Sequence, residues 1–486
     1  MRKNYKYFII GIVFSLFFLL ITKPFNLGVT PDSVNYIEVA RNISEGKGVV
    51  DNYGNLVNHW PPLYPLFLGL NSYLFNIDVI DAGLYLNLIL ALVYASLLIL
   101  IMNELKIVDS LKLVSLLLVL FSISTTEFLL FTSEGLFVMF LMLTLYLFVK
   151  WIKLNSSLIL IFVGISSGFL FLTRYAGVAF IGSICLYILF LSNKIFKVKL
   201  LNLCIYLVSV FLIIAIWITY TLKFPTTVVD RTIGFHIISF SKIKFGFHVF
   251  YDWFFYNKYF FGTIVFLTIF FLFKVNKLKL KKNNISFFNF LFIGTYIIFL
   301  LISISFFDAH TPLDYRILMP IYPMLILLIV TFFNYYYTYS KLNIYIYIIL
   351  SVLLLSVCVS SVPVWKNHFF NGQGFSGKKW KNSGVVDYLK QHQNLNLYTN
   401  ATDALRFFTR LQGEFIPIKY YPNIKQYNMN YEADILKMKG QVINGTKQIL
   451  YFESVDWRDY LMSEKELFRE FKDFEIISFK DGFLIK

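Results

Sequence analysis

Charge is scarce in this chain. Asp, Glu, Lys and Arg make up 15% of its 486 residues, against ~25% in ordinary soluble domains. That shortage, with 58% hydrophobic residues, excludes a soluble globule. Cysteine is almost missing: Cys185, Cys204 and Cys358 all lie inside apolar runs, without metal-ligand spacing. An odd number so placed excludes a disulfide framework, and all three read as buried small hydrophobes. No HExxH, CxxC, phosphate-binding loop, GxSxG or dinucleotide-binding glycine pattern stands in a credible context. Internal repeats and low-complexity tracts are absent as well. The net charge of +16 would suggest nucleic acid in a soluble protein. Here the lysines concentrate in short loops between apolar runs, with no basic face or stacking module, so anionic headgroups and topology account for them and nucleic acid does not.

What is present is a series of apolar runs, each long enough for a ~30 Å hydrocarbon core. They cover roughly 7–23, 80–102, 110–127, 134–150, 157–173, 176–192, 200–221, 257–274, 286–306, 317–337 and 343–362, about eleven crossings. The first follows Arg2, Lys3 and Lys6 but precedes no small-residue cleavage site, so it reads as a retained helix. Alternate loops hold Lys106 and Lys112, Lys150 and Lys153, Lys194 to Lys199, Lys274 to Lys282, and Lys341. By the positive-inside rule these loops and the N-terminus are cytoplasmic. An odd number of crossings then places the C-terminal part outside. The expected architecture is an all-α polytopic membrane domain over 1–362, with a catalytic outer loop at about 24–79. A small extracytoplasmic α/β domain follows over 363–486. Within it, helices are expected at Gly384–Gln391, Thr402–Arg410 and Glu464–Phe471. Strands are expected at Leu395–Thr399, Gln448–Glu453 and, as a pair, Ile476–Lys486.

The ionisable residues gather on the outer set of loops. Asp32 precedes a short amphipathic helix over Val34–Ile43, with Asp32 or Ser33 as its N-cap. A carboxylate at a dry, shaped surface suits a general base that deprotonates an acceptor hydroxyl. Tyr36 lies one turn on, over the same face, while Glu38 and Arg41 pair on the wet face. Pro61-Pro62 starts a second helix, and His59 just ahead of it is a candidate for binding substrate. Glu134, at the outer end of an apolar run, is a third substrate-binding candidate beside Tyr36 and His59. Arg174, Arg231 and Arg316 stand on the same side, and guanidinium forks match phosphate oxygens.

The set resembles the GT-C superfamily of polytopic glycosyltransferases, in its protein O-mannosyltransferase and aminoarabinose-transferase-like group. Five pieces carry the resemblance, in order, over about residues 1–330. They are Asp32-Ser33-x-x-Tyr36, Pro61-Pro62-Leu63-Tyr64-Pro65, Ser133-Glu134, Thr173-Arg174-Tyr175 and Arg316-x-x-x-Pro320-x-x-Pro323. It implies a catalytic Asp32 and a polyprenyl-phosphate sugar donor, whose phosphate the three arginines would meet. Several members have a second acid after the catalytic one. This chain has Ser33 there, so no metal site and no second carboxylate carry over; no cofactor is implied, and a divalent metal is left open. The expectation is an inverting, extracytoplasmic glycosyltransferase acting on a lipid, glycan or protein acceptor in a bacterial plasma membrane. The rivals are a flippase for a lipid-linked glycan, which would show inverted repeats and broken mid-bilayer helices, and an outer-face glycan polymerase.

Overall fold

The computed structural model describes residues 5–224, 234–274, 284–339, 343–392 and 394–486. Arg231 and the loop lysines Lys277, Lys279, Lys281, Lys282 and Lys341 lie outside the described residues. The N-terminal part is helical: α1 (Tyr5–Thr22), α2 (Pro31–Ser44), α3 (Leu63–Phe75), α4 (Val79–Glu104), α5 (Asp109–Leu120), a 3-10 helix Ile123–Leu129, α6 (Glu134–Leu154), α7 (Ser157–Thr173) and α8 (Gly177–Leu186). It continues with α9 (Phe196–Thr221), α10 (Phe240–Phe254), α11 (Lys258–Lys274), α12 (Asn284–Phe306), α13 (Tyr315–Leu318), α14 (Ile321–Tyr339) and α15 (Asn343–Asn371).

Seven helices among the described residues are long and apolar enough to cross a membrane: α1, α4, α6, α9, α12, α14 and α15. The helix pair Asp109–Leu120 and Ile123–Leu129 makes an eighth only as a span bent by 57°. By length and composition the count of eleven is thus not confirmed. The other three expected spans fall on α7, on α8 with the turn after it, and on α11, apolar helices of 10–17 residues. At 1.5 Å per residue the longest rises about 25 Å, at the lower limit for a span. Of the cysteines, Cys204 is exposed on α9, and Cys185 and Cys358 are half-buried. A helix apolar all round has a lipid side, so an apolar context does not bury a residue.

The C-terminal part mixes elements as its shortened patterns suggest. Helices α16 (Lys378–Lys381), α17 (Gly384–Gln391), α18 (Thr402–Thr409), α19 (Tyr431–Ile443) and α20 (Glu464–Glu470) alternate with strands β1 (Leu397–Thr399), β2 (Gly413–Phe415), β3 (Tyr420–Tyr421), β4 (Gln426–Tyr427), β5 (Gln448–Phe452), β6 (Ile476–Phe479) and β7 (Gly482–Ile485). One sheet runs β2-β1-β5-β7-β6, with β1 parallel to both neighbours and β7 antiparallel to both of its own. Strands β1 and β7 are buried along their whole length, as strands covered on both faces must be. The pair Arg458–Asp403 ties α18 down through two 2.9 Å hydrogen bonds, and both side chains are buried.

The chain reaches α2 along a fixed path. Gly28 N–H donates to Leu129 O at 2.8 Å, and Phe131 N–H donates to Gly28 O at 2.8 Å. On the other side Phe375 N–H donates to Val29 O at 2.8 Å, and Ser376 Oγ donates to Leu27 O at 2.7 Å. The residues just ahead of α2 are thus held between the α5–α6 connection and the segment after α15. Gly374 makes the close approach feasible: its φ is +57°, and an added Cβ would lie 2.0 Å from Val29 O. Gly374→Ala should therefore cost more than about 1 kcal/mol, and thermal unfolding should show a lowered melting temperature. An unchanged melting temperature would mean that this contact does not hold the segment.

Candidate active site

Helix α2 starts at Pro31, three residues earlier than the sequence pattern suggests, and neither Asp32 nor Ser33 is its N-cap. Thr30 takes that place: its Oγ1 accepts from Ser33 N–H at 3.3 Å, while Ser33 Oγ accepts from Thr30 N–H at 2.9 Å. This reciprocal box satisfies two of the first-turn donors, and Pro31 follows as the first helical residue, where its missing N–H has no cost. Asp32 thus sits in the first turn with its carboxylate free of any capping duty. It reaches instead toward α13, where Arg316 Nη1 donates to Asp32 Oδ2 at 2.7 Å.

Arg316 is aimed by its own short helix. Asp314 caps α13 by accepting from Ile317 N–H at 2.9 Å, and burial pushes the Asp314 carboxyl up. Tyr296 Oη donates to Ile317 O at 2.8 Å, fixing α13 against α12. The Arg316 Nε lies 3.4 Å from Glu134 Oε1. That same oxygen accepts from Arg174 Nη1. Glu134 opens α6, and Arg174 directly follows α7. One carboxylate therefore bridges two guanidiniums from elements far apart in the chain. Burial opposes the charge on Arg316, but Glu134 and then Asp32 outweigh it, so its pKa is raised. For Arg174 burial again opposes the charge and Glu134 offsets it, with the same net direction. Both arginines stay cationic.

Accessibility separates the two acids. The Asp32 side chain keeps 32% of its surface exposed and Glu134 only 3%. Asp32 can be reached by a substrate, whereas Glu134 holds Arg174 and Arg316 in place. Arg174 points inward to that carboxylate, not outward to headgroups. Tyr36 is buried, with its Oη 3.3 Å from Ser133 Oγ; burial, then the charges of Asp32 and Glu134, push its phenol up. It therefore stays neutral. Its ring meets Trp60 and Tyr64 edge-on at 5.9 and 5.2 Å. His59 packs against Trp60 at 4.3 Å, two rings removed from the carboxylates.

Glu38 and Arg41 do not pair. Glu38 is buried and accepts from Arg406 Nη1 at 2.9 Å, and Arg41 Nη2 lies 3.8 Å from Asp78 Oδ2. The three-residue spacing allows a pair, but α18 packs on this face of α2 and supplies a better partner. Glu127 escaped notice in the sequence because it closes an apolar run. It is buried in the 3-10 helix, interacts electrostatically with Glu134, Arg316 and Arg174, and leaves Oε2 without a hydrogen-bond partner among the described residues. No group of three or more His, Cys, Asp or Glu positioned for a metal ion occurs among the described residues.

Residues 59–218 match the family described as dolichyl-phosphate-mannose-protein mannosyltransferase. No curated protein is significantly similar in sequence. Among solved structures, ArnT from Cupriavidus metallidurans bound to undecaprenyl phosphate is similar with a TM-score of 0.58 at 11% identity, covering 98% of this chain and 97% of that one. The same protein in the apo state gives a TM-score of 0.56. The Archaeoglobus fulgidus oligosaccharyltransferase in complex with zinc and sulfate gives 0.57 at 10% identity, over 92% of this chain and 68% of that one. The helical bundle, the small C-terminal sheet and these likenesses bear out the resemblance drawn from the sequence: this is a multi-pass membrane protein that shares the fold of ArnT and of the archaeal oligosaccharyltransferase, and its residues 59–218 match the mannosyltransferase family.

Proposed function

We propose that the protein is an inverting glycosyltransferase that moves a sugar from a polyprenyl-phosphate donor to an acceptor hydroxyl on the extracytoplasmic face. The observation that carries this reading is the 2.7 Å contact between the accessible carboxylate of Asp32 and Arg316. A base and a phosphate-matching fork stand together, with Arg174 behind them on the shared Glu134. The donor's phosphate competes with Asp32 for Arg316. Once the guanidinium turns to phosphate, the carboxylate loses its partner and is free to take a proton.

The reaction is then a single displacement. The acceptor oxygen attacks the anomeric carbon and Asp32 takes its proton. The bond from that carbon to the phosphate oxygen breaks, and the electron pair leaves with the polyprenyl phosphate. Arg316 and Arg174 stabilise the charge developing there, an effect of about 3–4 kcal/mol for a well-placed donor. Arg231 is a further phosphate candidate on sequence grounds alone. A cavity of about 1060 Å³, lined by Phe254, Phe255, Phe287, Phe290 and Phe332 among others, gives an apolar tail a place to lie. Helix α10, which lines this cavity through Phe254, also carries Asp252, which accepts from Tyr315 Oη next to Arg316. The acceptor class is a lipid, a glycan or a protein exposed on that face.

Replacing Arg316 or Arg174 with Lys keeps the charge and removes the fork. Each variant should lose donor use about tenfold or more at low donor concentration, the equivalent of ~1.4 kcal/mol. Arg174→Lys working like the wild type would reduce Arg174 to a structural partner of Glu134. The proposed orientation rests on the lysine-bearing loops. A reporter active only outside the cytoplasm, fused after Lys486, should be active. Activity of a cytoplasmic reporter at that position would invert the assignment of faces.

A further inference from the structure

A second polar cavity, of about 300 Å³, lies between α2 and α18. It is separate from the Asp32 cluster. Arg41, which lines it, is nine residues on from Asp32, about 180° around the helix and about 14 Å along it. Four cations, Arg41, Lys47, Arg406 and Arg410, line the cavity against two acids, Glu38 and Glu45. Both acids are already engaged. Glu38 accepts from Arg406 and from Asn52 N–H, each at 2.9 Å, and Glu45 pairs with Lys47. Two guanidiniums are left over. Arg41 has only the distant Asp78 at 3.8 Å, and its Nε is buried with no hydrogen-bond partner among the described residues. Arg410 has no ion pair among the described residues. Burial and then the facing Arg410 hold the Arg41 pKa below its usual value, with Asp78 opposing.

The cavity is also rigidly built. Helix α18, which carries Arg406 and is closed by Arg410, is anchored at its start by Asp403–Arg458. Arg406 clamps α2 through Asn35 at 3.0 Å as well as through Glu38. Two arginines with spare donors, held on packed elements around a small cavity, are what a bidentate oxyanion ligand requires. The volume is at the lower end of the about 300–1,000 Å³ typical of small-molecule pockets.

We propose that this cavity is an oxyanion site, with Arg41 and Arg410 as its ligands, that holds a phosphate or carboxylate group of the acceptor. The anion site stands by itself; its assignment to the acceptor rests on the transferase reading. The spacing along α2 makes the acceptor an extended molecule, with its anionic group at least about 14 Å from the hydroxyl that reacts at Asp32.

The test is titration of inorganic phosphate into the purified full-length protein in a zwitterionic detergent, read by thermal unfolding and so independent of turnover. A saturable rise in melting temperature is expected. It should weaken about tenfold or more in Arg410→Ala, whose exposed side chain leaves folding untouched, and in Arg41→Gln. The rise should survive in Arg174→Lys. No rise in the wild type, or an equal rise in Arg410→Ala and Arg41→Gln, would overturn the site. Loss of the rise in Arg174→Lys with Arg410→Ala unaffected would place phosphate at the Asp32 cluster and overturn it too. A second arm compares phosphatidylglycerol with phosphatidylcholine nanodiscs without phosphate. Stabilisation by phosphatidylglycerol that depends on Arg410 would assign the oxyanion to a lipid headgroup and refute the acceptor assignment; equal stability in the two lipids is the result expected for an acceptor group.

Discussion

Purified Glu134→Gln should melt well below the wild type and transfer little sugar. The substitution keeps the shape and removes one negative charge. That charge is shared: the same oxygen of Glu134 accepts from Arg174 and lies 3.4 Å from Arg316 Nε. Without it the two guanidiniums lose their shared ion-pair partner, and Asp32 is left as the only acid in an ion pair with Arg316 among the described residues. Breaking a buried pair from one side costs about 3–5 kcal/mol. The lower end applies here, because the arginine side chains keep 21% and 25% of their surface exposed. The double variant Glu134→Gln, Arg174→Gln removes both charges and should recover part of the lost stability, since replacing both members of a buried pair is often neutral. A Glu134→Gln protein with wild-type melting and wild-type rate would mean that the bridge neither stabilises the bundle nor positions its arginines.

The sequence makes visible whatever is local. Apolar runs mark the helices, Pro61-Pro62 marks the start of α3, and shortened patterns after residue 362 mark the elements of the C-terminal sheet. Helix α17 lies at Gly384–Gln391, the range its pattern defines. Helix α19, Tyr431–Ile443, is not marked in the sequence, because its buried stripe is narrow: Ile435, Met438 and Val442. The eleven apolar runs are all found as helices, but length and composition support seven spans, or eight with the bent pair, because three of the runs fall on helices of 10–17 residues. The cap of α2 was misplaced by two or three residues, since Thr30, Asp32 and Ser33 are all good capping types and only backbone geometry chooses among them.

The site itself was legible as residue types and illegible as contacts. Asp32 and Arg316 are 284 positions apart, and no periodicity links them. The sequence could say that acids and arginines share a side of the bundle. It could not say that Glu134 would belong to the arginines, nor that Arg406 of the C-terminal part would replace Arg41 as the partner of Glu38. Glu127 was hidden for a related reason. It closes an apolar run that reads as a straight span, and the 57° bend that turns it toward the cluster is a tertiary feature.

Asp32 carries the enzymatic reading, and Asp32→Asn isolates its proton-accepting role. Thr30 and Ser33 cap α2, so the substitution removes no structural hydrogen bond within the helix. Asn can still accept from Arg316 through its amide oxygen, but it cannot take a proton from a hydroxyl. The variant should fold, melt near the wild-type temperature and retain the lipid donor. Its rate should fall by about 10²–10⁴-fold or more, the usual contribution of a positioned general base. The most direct measurement is release of polyprenyl phosphate from a polyprenyl-phosphate sugar by purified wild type and Asp32→Asn, with acceptor present and donor binding measured on the same samples. The account predicts turnover by the wild type, with normal donor binding and almost no release by the variant. Full release by Asp32→Asn would contradict it.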